Sequence, residues 1–502
     1  MNQMLGTLGE NDSRTYIFCK RRAASRVERL TTKRLAEYCS TLRYDDIPKA
    51  VRERAQDMVL DLIGVAIYGS TLASSNPIMT YVESLGGRPE ATVFGLPKKT
   101  TAAEAAMANG TSAHSPELDD TEHGGPIHVG TTVIPAALAV GEKEHADGAS
   151  FVAAVVAGYD VAVRCAMAAQ GSSRAHYRRG FHPTATCGAF AAAAASGRIL
   201  GLTPEKMANA FGIAGSQASG LLAFLNDGSW TKRFGAGRAS QSGVIAASLA
   251  ELGFTGPTDV LEGKNGFLQA YTDEPDPSWL IRGLGEEFSV MNTGIKFHAC
   301  CRYNQSAIDC AIELQRKYQF APEDISEVRV GVVKTAVELL SEPHDLRYNP
   351  KTVVDAQFSI PYSVGVALVR GRAFIDEYTE QSIRDPQLLS VTRRIKVEHD
   401  PHLDKEYPQH WPAWVRLKLT DGRVLEASAK TCKGDAGTPL PREDLESKFE
   451  ALASRVLTSQ AMQALVKSLR QLEAVEDIST LLDGLEYKRG RPLEAIRVTA
   501  DP

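Results

Sequence analysis

The chain has 502 residues, a length that predicts one or two large domains. Hydrophobic residues make up 43% of it and charged residues 23%, a globular composition that excludes the disordered and collagen-like classes. Its 56 Lys and Arg residues against 61 Asp and Glu residues give a net charge of −5, so no basic excess favours nucleic acid or an anionic membrane surface as a partner. Eight scattered cysteines predict reduced thiols in an intracellular protein rather than a disulfide framework.

Neither a membrane span nor a targeting segment is predicted. The longest uncharged stretch, residues 207–226, is long enough to cross a bilayer, but Asn209, Gln217 and several glycines and serines favour a buried helix pair or a helix followed by a loop. The first 25 residues lack the apolar segment of a secretory signal, and Glu10 and Asp12 are atypical of a mitochondrial presequence. We therefore expect a cytoplasmic protein, with a mitochondrial location as the alternative.

Helical periodicity dominates the first half of the chain. Apolar residues recur on one face between Val51 and Ala66. We expect Asp46 to cap this helix, Pro48 to lie in its first turn and Gly69 to end it. Further helices are predicted at 103–109, 132–145, 148–169 and 184–200. The last two are rich in alanine and glycine, and such small side chains let helix axes approach closely, so we expect a compact bundle.

The pattern changes after about residue 279. Segments 327–333 and 394–397 alternate with the period of a strand, and 414–419 and 423–427 indicate a hairpin around Asp421-Gly422. Helical patterns lie between them at 304–319 and 355–369 and return at 441–456, 459–473 and 478–485. This order predicts a mainly α protein, with a large all-helical domain formed by both chain ends and an inserted smaller α+β domain. We place a flexible N-terminus at 1–25, the helical domain at 26–285 and 438–502, and the insert at 286–437.

Segment 114–128 concentrates chemistry-bearing side chains between two apolar helices. It reads His114-Ser-Pro-Glu117-Leu-Asp119-Asp120-Thr121-Glu122-His123-Gly-Gly-Pro-Ile-His128. Acids, histidines and flexible glycines in one segment are typical of a functional site, and a capped loop with a solvated acidic face is the alternative. A metal site is not predicted, because His123 and His128 lack the i, i+4 spacing of a helical pair and no second Cys/His cluster completes a ligand set.

Two further segments could supply a base and cations. His182 directly precedes a predicted helix, whose positive dipole end favours a neutral imidazole that can accept a proton; a hydrogen-bonded structural histidine is the alternative. Segment 226–238 carries Lys232, Arg233 and Arg238 among several glycines, which suits an anionic ligand such as a polycarboxylate. A solvated basic loop is the alternative there, and the P-loop signature for phosphate is absent.

The remaining candidates lie in and beside the insert. Segment 294–303 contains Lys296 and the adjacent Cys300 and Cys301. Adjacent cysteines do not form a redox C-x-x-C pair and cannot easily face one metal, so we interpret them as packing residues. Segment 355–362 places the phenol of Tyr362 early in an apolar helix.

Together these segments, in this order, resemble the MmgE/PrpD family, which includes cis-aconitate decarboxylase, 2-methylcitrate dehydratase and iminodisuccinate epimerase. The resemblance extends from about residue 31 to residue 485. It is carried by the ordered motifs Asp45-Asp-Ile-Pro48, Glu117-Leu-Asp-Asp-Thr121, Gly180-Phe-His-Pro-Thr184, Gly201-Leu-Thr-Pro204, Gly212-Ile-Ala-Gly-Ser-Gln217, Trp230-Thr-Lys-Arg233, Ala299-Cys-Cys301 and Asp355-Ala-Gln-Phe358. It implies a large helical domain built from both chain ends, an α+β lid domain, a homodimer and no cofactor.

Within the family, the chain is most similar in its site residues to cis-aconitate decarboxylase. The residues that this implies as catalytic are His128, His182, Lys232, Lys296 and Tyr362. Those implied to bind substrate are Glu117, Thr121, His182, Lys232 and Lys296. Many members have aspartate where this chain has Glu117, and many carry a histidine where it has Gly235.

The resemblance implies a cofactor-free lyase for a small citrate- or aconitate-like polycarboxylate. Lysines and charged histidines would compensate the carboxylates, whose burial is otherwise costly. In a decarboxylase, loss of CO2 leaves an allylic carbanion that takes a proton from His128 or His182; in a dehydratase the same histidines remove a proton and help hydroxide leave. We favour decarboxylation of cis-aconitate or a related alkyl-substituted acid. Dehydration of 2-methylcitrate or another alkylcitrate, an epimerase and a non-catalytic metabolite-binding protein are the alternatives, in that order.

Overall fold

The structure, a computed structural model, describes residues 30–171, 173–483, 485 and 487. The segment predicted to be flexible, 1–25, lies outside the described residues, and so does Cys19. The other seven cysteines are free, as expected of reduced thiols. The helices of the first half are α1 (Thr31–Thr41), α2 (Lys49–Gly69), α3 (Asn76–Leu85), α4 (Ala102–His114), α5 (Gly130–Lys143), α6 (Gly148–Gln170), α7 (Ala175–Arg178), α8 (Pro183–Ile199), α9 (Pro204–Gly215), α10 (Thr231–Glu251) and α11 (Phe267–Tyr271).

The second half mixes helices with a small sheet. Its helices are α12 (Gln305–Tyr318), α13 (Lys334–Leu340), α14 (His344–Tyr348), α15 (Val353–Gln357), α16 (Ile360–Arg370), α17 (Pro386–Thr392), α18 (Arg442–Ala453) and α19 (Ser459–Arg470). The strands are β1 (Thr121–Glu122), β2 (Thr293–Gly294), β3 (Ile325–Val332), β4 (Ile395–His399), β5 (Ala413–Leu419) and β6 (Val424–Ala429). The protein is therefore mainly α, as predicted. Its helical part is not entirely helical, because it contributes the short strand β1.

Small side chains set the closest helix contacts of the bundle. The alanine-rich helix α8 is buried along most of its length and packs against α6 and α10. A Cβ atom on Gly243 of α10 would lie 2.3 Å from Cβ of Ala192, so glycine is required for this approach. The close packing predicted from the alanine and glycine content is confirmed.

Of the three expectations for helix α2, one is confirmed and two are wrong. It ends at Gly69 as expected, and a Cβ there would lie 1.9 Å from the carbonyl oxygen of Ser112. Asp46 does not cap this helix: it lies in a separate 3-10 turn (Tyr44–Asp46), and Pro48 occupies the N-cap position without a side-chain hydrogen bond. The chain turns once more before the helix begins, which moves Asp46 out of reach of its first N–H groups.

The four-stranded sheet has the order β4-β3-β5-β6. Strand β3 pairs parallel with β4 and antiparallel with β5, and β5 and β6 form the predicted hairpin around Asp421-Gly422. The helix predicted at 355–369 is interrupted, because Ser359 caps a new helix, α16, in which Pro361 lies in the first turn. Residues 204–226 form a helix, a loop and a 3-10 turn, in agreement with the helix-and-loop prediction.

Among the described residues the two largest hydrophobic cores lie side by side, and a third, smaller cluster lies around α3 and α4. The larger core combines α1, α2, α5, α6, α8 and α9 with residues 440–482 of the C-terminal part, and α18 packs against α2. The smaller core contains the four-stranded sheet, α12 and α16. The domain boundaries themselves stay predictions. Among the helices that the structure describes, one, α6, is long and apolar enough to cross a membrane, and 94% of its most apolar window is buried inside the protein, as in the core helix of a globular protein.

Candidate active site

A small cavity lies where the two cores meet, and most of the predicted site residues line it. Its polar side carries Glu117, Thr121, His128, His182, Lys232 and Arg302. Its opposite side is apolar and aromatic, with Leu222, Phe224, Tyr303, Phe358 and Trp411 among its residues. The cavity volume is about 50 Å³, below the range of about 300–1,000 Å³ usual for ligand sites. A six-carbon acid therefore needs a movement of the walls to enter.

The segment after α4 is held against the insert by a short ribbon. Thr121 of β1 pairs with Gly294 of β2, which brings the chain leading to Lys296 beside the Glu117 loop. Lys296 is fully buried, and its Nζ donates a hydrogen bond to the carbonyl oxygen of Glu117 at 2.8 Å. Glu117 itself adopts a left-handed backbone with φ of 57°, an uncommon conformation for a residue with a side chain. The ribbon and Lys296 thus fix a strained loop.

Two buried lysines and two buried carboxylates form a charged network, in which Glu117 and Lys232 line the cavity while Lys296 and Asp119 are fully buried. Nζ of Lys232 lies 2.5 Å from Oε1 of Glu117, and Nζ of Lys296 lies 3.4 Å from Oδ1 of Asp119. Burial raises the pKa of the Glu117 carboxyl, but the ammonium groups of Lys232 and Lys296 outweigh burial and hold the pKa at about 2. Oε2 of Glu117 has no hydrogen-bond donor among the described residues. Burial likewise raises the pKa of the Asp119 carboxyl, but His114 and Lys296 hold it well below its usual range. Asp119 and Glu117 in turn outweigh burial and raise the pKa of Lys296. Burial lowers the pKa of Lys232, which Glu117 opposes. Each lysine thus lies beside a carboxylate.

His128 is oriented by its neighbours through one ring nitrogen. Its Nδ1 lies 2.8 Å from the carbonyl oxygen of Asp120 and 3.2 Å from Oδ2 of Asp119. Because both of these are acceptors at neutral pH, Nδ1 carries the hydrogen and Nε2 is the free base. Burial lowers the pKa of His128 to about 4, with Lys232 adding to the shift and Asp119 opposing it. His128 is therefore a neutral imidazole in the free protein at pH 7.

Three imidazoles cluster around Asp119. The ring centroids of His114 and His128 are 4.8 Å apart, those of His114 and His182 5.9 Å, and those of His128 and His182 6.5 Å. Nδ1 of His114 lies 2.8 Å from Oδ2 of Asp119. Burial, together with Lys232, holds the pKa of His182 well below its usual range. The expectation that His182 is neutral agrees with its position as the N-cap of α8. The expectation that charged histidines compensate the carboxylates does not hold for His128 and His182 in the free protein.

Among the described residues, His114, Asp119 and His128 form a group that could bind a metal ion, with ligand atoms within 4.8 Å of one another. Lys296 contacts the same Asp119 carboxylate. An ammonium group on the shared ligand opposes a divalent cation by charge repulsion. The absence of a metal from the reaction stays a prediction.

The structure does not bring Tyr362 into the cavity. Its hydroxyl donates a hydrogen bond to the carbonyl oxygen of Glu377 at 2.8 Å, and its ring lies in the core of the insert beside Tyr378. The tyrosines that line the cavity are Tyr177 and Tyr303. The helix break at Ser359 places Tyr362 in the core instead of on the cavity wall, so this placement lends no support to its predicted catalytic role.

Three residues that hold the site together had no predicted role. His114 and Asp119 were visible in the segment rich in acids and histidines, but their pairing was not. No motif or spacing in the sequence indicated a role for Lys448 of α18. Its side chain is buried, and its Nζ lies 2.6 Å from Oδ1 of Asp61 of α2. Its Nζ also donates to the carbonyl oxygens of Leu118 at 2.9 Å and Lys296 at 2.7 Å. It thereby ties the C-terminal part of the chain to both sides of the site.

The fold and the cavity define a mainly helical protein with a buried, lysine- and histidine-lined site suited to a small anionic molecule. The chain belongs to the MmgE/PrpD family: the model of the MmgE/PrpD N-terminal domain matches residues 33–280 and that of the C-terminal domain residues 298–472.

Several curated relatives match nearly the whole chain. A cis-aconitate decarboxylase-like protein of Aspergillus oryzae is 29% identical and covers 90% of this chain and 96% of its own length. A cis-aconitate decarboxylase of Aspergillus terreus is 27% identical and covers 94% and 99%. A 2-methylcitrate dehydratase of Cupriavidus necator is 26% identical over 47% of this chain and 50% of its own length.

Proposed function

We propose that the protein is a lyase that decarboxylates cis-aconitate or a related alkyl-substituted acid without a cofactor. One observation carries the proposal: a single cavity combines the cation Lys232 with the imidazoles of His128 and His182, and the buried Lys296 pairs with Glu117 on the same cavity wall. Relatives named as decarboxylases cover nearly the whole chain, whereas those named as dehydratases cover about half of it. The proposal includes a cytoplasmic homodimer.

Substrate binding follows from the charge balance. In the free protein the two lysines are neutralised by Glu117 and Asp119. A substrate carboxylate beside Lys232 competes with Glu117, whose Oε2 accepts no hydrogen bond from the described residues and lies 3.6 Å from Nζ of Lys296. Compensating the negative charges of three substrate carboxylates would need further cations. The aromatic side chains of Phe224, Phe358 and Trp411, which also line the cavity, suit an apolar substituent. This asymmetry favours an acid with one apolar branch.

We propose that the insert acts as a lid over this cavity. Trp411 lines the cavity from the insert, and Lys296 of the insert bonds to the carbonyl oxygen of Glu117. Glu117, His128 and His182 come from the helical part, so closure would complete the site. Locking the insert to the helical part with a bifunctional crosslinker should lower kcat/KM, and an unchanged kcat/KM would refute the lid.

The chemical step needs one proton. When the C–C bond to the leaving carboxylate breaks, its electron pair stays on the allylic carbon as CO2 departs, and a proton must be added there. A neutral imidazole cannot supply this proton. A bound polyanion raises the pKa of nearby imidazoles, so His128 or His182 takes up a proton as the substrate binds and then donates it to the carbanion.

One observation favours the second candidate, dehydration of an alkylcitrate. In the free protein His128 is neutral with Nε2 as a base, which suits abstraction of a Cα proton as directly as later donation. The fold and the residue types support both reactions, so the reaction must be measured.

The test is NMR of the purified protein with cis-aconitate, and separately with 2-methylcitrate, each with a chelator present. We expect cis-aconitate to give itaconate and CO2 in the absence of metal. Loss of water from 2-methylcitrate with cis-aconitate unchanged would replace the decarboxylase with a dehydratase. A product that forms only after metal is added would overturn the cofactor-free proposal. No product from either substrate would overturn both assignments.

The pH dependence of kcat/KM separates donation from abstraction. The pKa of His128 in the free protein is about 4, so above pH 6 its protonated fraction falls about tenfold for each pH unit. If protonated His128 is the donor, kcat/KM should fall with that slope between pH 6.5 and 8.5, a window in which the substrate carboxylates stay ionised. A flat profile in this window would refute donation by either low-pKa histidine and is the result expected for a base.

A further inference from the structure

A second, larger cavity lies behind the wall of the first one. Its volume is about 340 Å³, and its lining includes Ser74, Trp230, Arg233, Val354 and Tyr378. This volume falls within the range of about 300–1,000 Å³ usual for small-molecule sites. Most of the lining is apolar or aromatic, with hydroxyl groups among it. The mechanism above uses none of these side chains.

Arg233 is the charged group of this cavity that lacks a charged partner. Its side chain is only 7% exposed. Nη2 donates a hydrogen bond to Oε1 of Gln357 at 3.2 Å, and no carboxylate of the described chain forms an ion pair with the guanidinium. A buried arginine without an acid is costly, because its five N–H groups and its charge have left water. The remaining donors therefore suit an anionic oxygen ligand.

Nearby charges do not already satisfy this guanidinium. The closest acid along the wall, Glu117, is bound to Lys232 at 2.5 Å. Glu380 lines the cavity but is exposed, and it pairs with Arg384 at 2.9 Å. Arg233 also lies in the first turn of the 21-residue helix α10, whose positive dipole end adds to the attraction for an anion.

Residues that are neighbours in the chain line the two sides of the wall between the cavities. Arg233, Pro116 and Gln357 line the second cavity. Their sequence neighbours Lys232, Glu117 and Phe358 line the first. Because the wall is one residue thick at these three points, a ligand on one side contacts the backbone that positions charged groups on the other.

We propose that the second cavity is a separate ligand site for a small acid that has one carboxylate and an apolar body. The carboxylate binds the guanidinium of Arg233, and the apolar body lies against Trp230, Val354 and Tyr378. This site is independent of the reaction proposed above, and it would stand if that reaction were wrong.

The test is isothermal titration of the full-length protein with sodium octanoate. We expect saturable binding that is weakened at least tenfold in Arg233→Gln, because the variant loses the charge-assisted contact to the carboxylate. The matched control is Arg238→Gln: this arginine lies on the same helix but bonds to Gln241 outside the cavity, and its loss should leave the affinity unchanged. Uncharged 1-octanol should bind the wild type at least tenfold more weakly than octanoate.

A second variant keeps the test valid if Arg233→Gln folds poorly. Ala73 is exposed at the rim of the cavity, so Ala73→Phe should narrow the entrance without disturbing the core, and octanoate binding should fall. The proposal is wrong if the wild type shows no saturable heat, or if Arg233→Gln binds as tightly as the wild type. It is also wrong if Lys232→Met abolishes binding while Arg233→Gln does not, because octanoate would then occupy the first cavity.

Discussion

Replacing His182 by glutamine is expected to lower kcat by about a hundredfold to ten-thousandfold, the range typical of losing a general acid or base. His182 lines the cavity with its imidazole 6.5 Å from that of His128, centroid to centroid. Glutamine keeps a hydrogen-bonding side chain of similar length but cannot exchange a proton. The measurement is kcat from product formation by NMR, with circular dichroism to show that the variant is folded.

A buried histidine outside the cavity provides the matched control. His176 is fully buried, and its Nε2 lies 2.9 Å from Oγ1 of Thr186. His176→Gln should keep kcat within about threefold of the wild type, even though it also removes a buried imidazole. If folded His182→Gln retains wild-type turnover, or if both variants lose it equally, His182 does not carry the proton.

Replacing Lys448 by methionine is expected to lower the free energy of unfolding by about 3–5 kcal/mol, the cost of leaving a buried charge without its partner. Lys448 and Asp61 are both buried, with Nζ and Oδ1 2.6 Å apart. The variant leaves the Asp61 carboxylate and the carbonyl oxygens of Leu118 and Lys296 without this donor. Urea denaturation followed by circular dichroism measures the difference, given that the unfolding is reversible.

Two further variants isolate the ion pair. Lys49→Met removes an exposed lysine that lies 3.5 Å from Glu53, and it should change stability by no more than about 1 kcal/mol. The double variant Asp61→Leu/Lys448→Met removes both buried charges and should recover part of the loss. If Lys448→Met costs no more than Lys49→Met, the buried pair does not hold the C-terminal part in place.

The local elements were predictable because their signals are local. The hairpin around Asp421-Gly422 follows from alternation and a turn dipeptide. The alanine-rich helix α8 follows from its composition and period. Errors arose where one or two residues redirect the chain: the 3-10 turn before α2 displaced Asp46, and the cap at Ser359 split the helix predicted at 355–369. Tyr362, whose catalytic role was implied by the family resemblance, lies in the core of the insert, and that role stays a prediction.

The same distinction between local signals and long-range contacts applies to the site. By itself the sequence determined the family, the mainly α fold and the residue types of the site, because ordered motifs and hydrophobic periods are written in neighbouring residues. Only the tertiary structure decided which charges meet. Lys448 reaches Leu118 across 330 positions of the chain, and Lys232 reaches Glu117 across 115. Such pairs depend on long-range packing, and burial then sets the pKa of His128 to about 4, because the energy of an ionised group is decided by the water and charges around it.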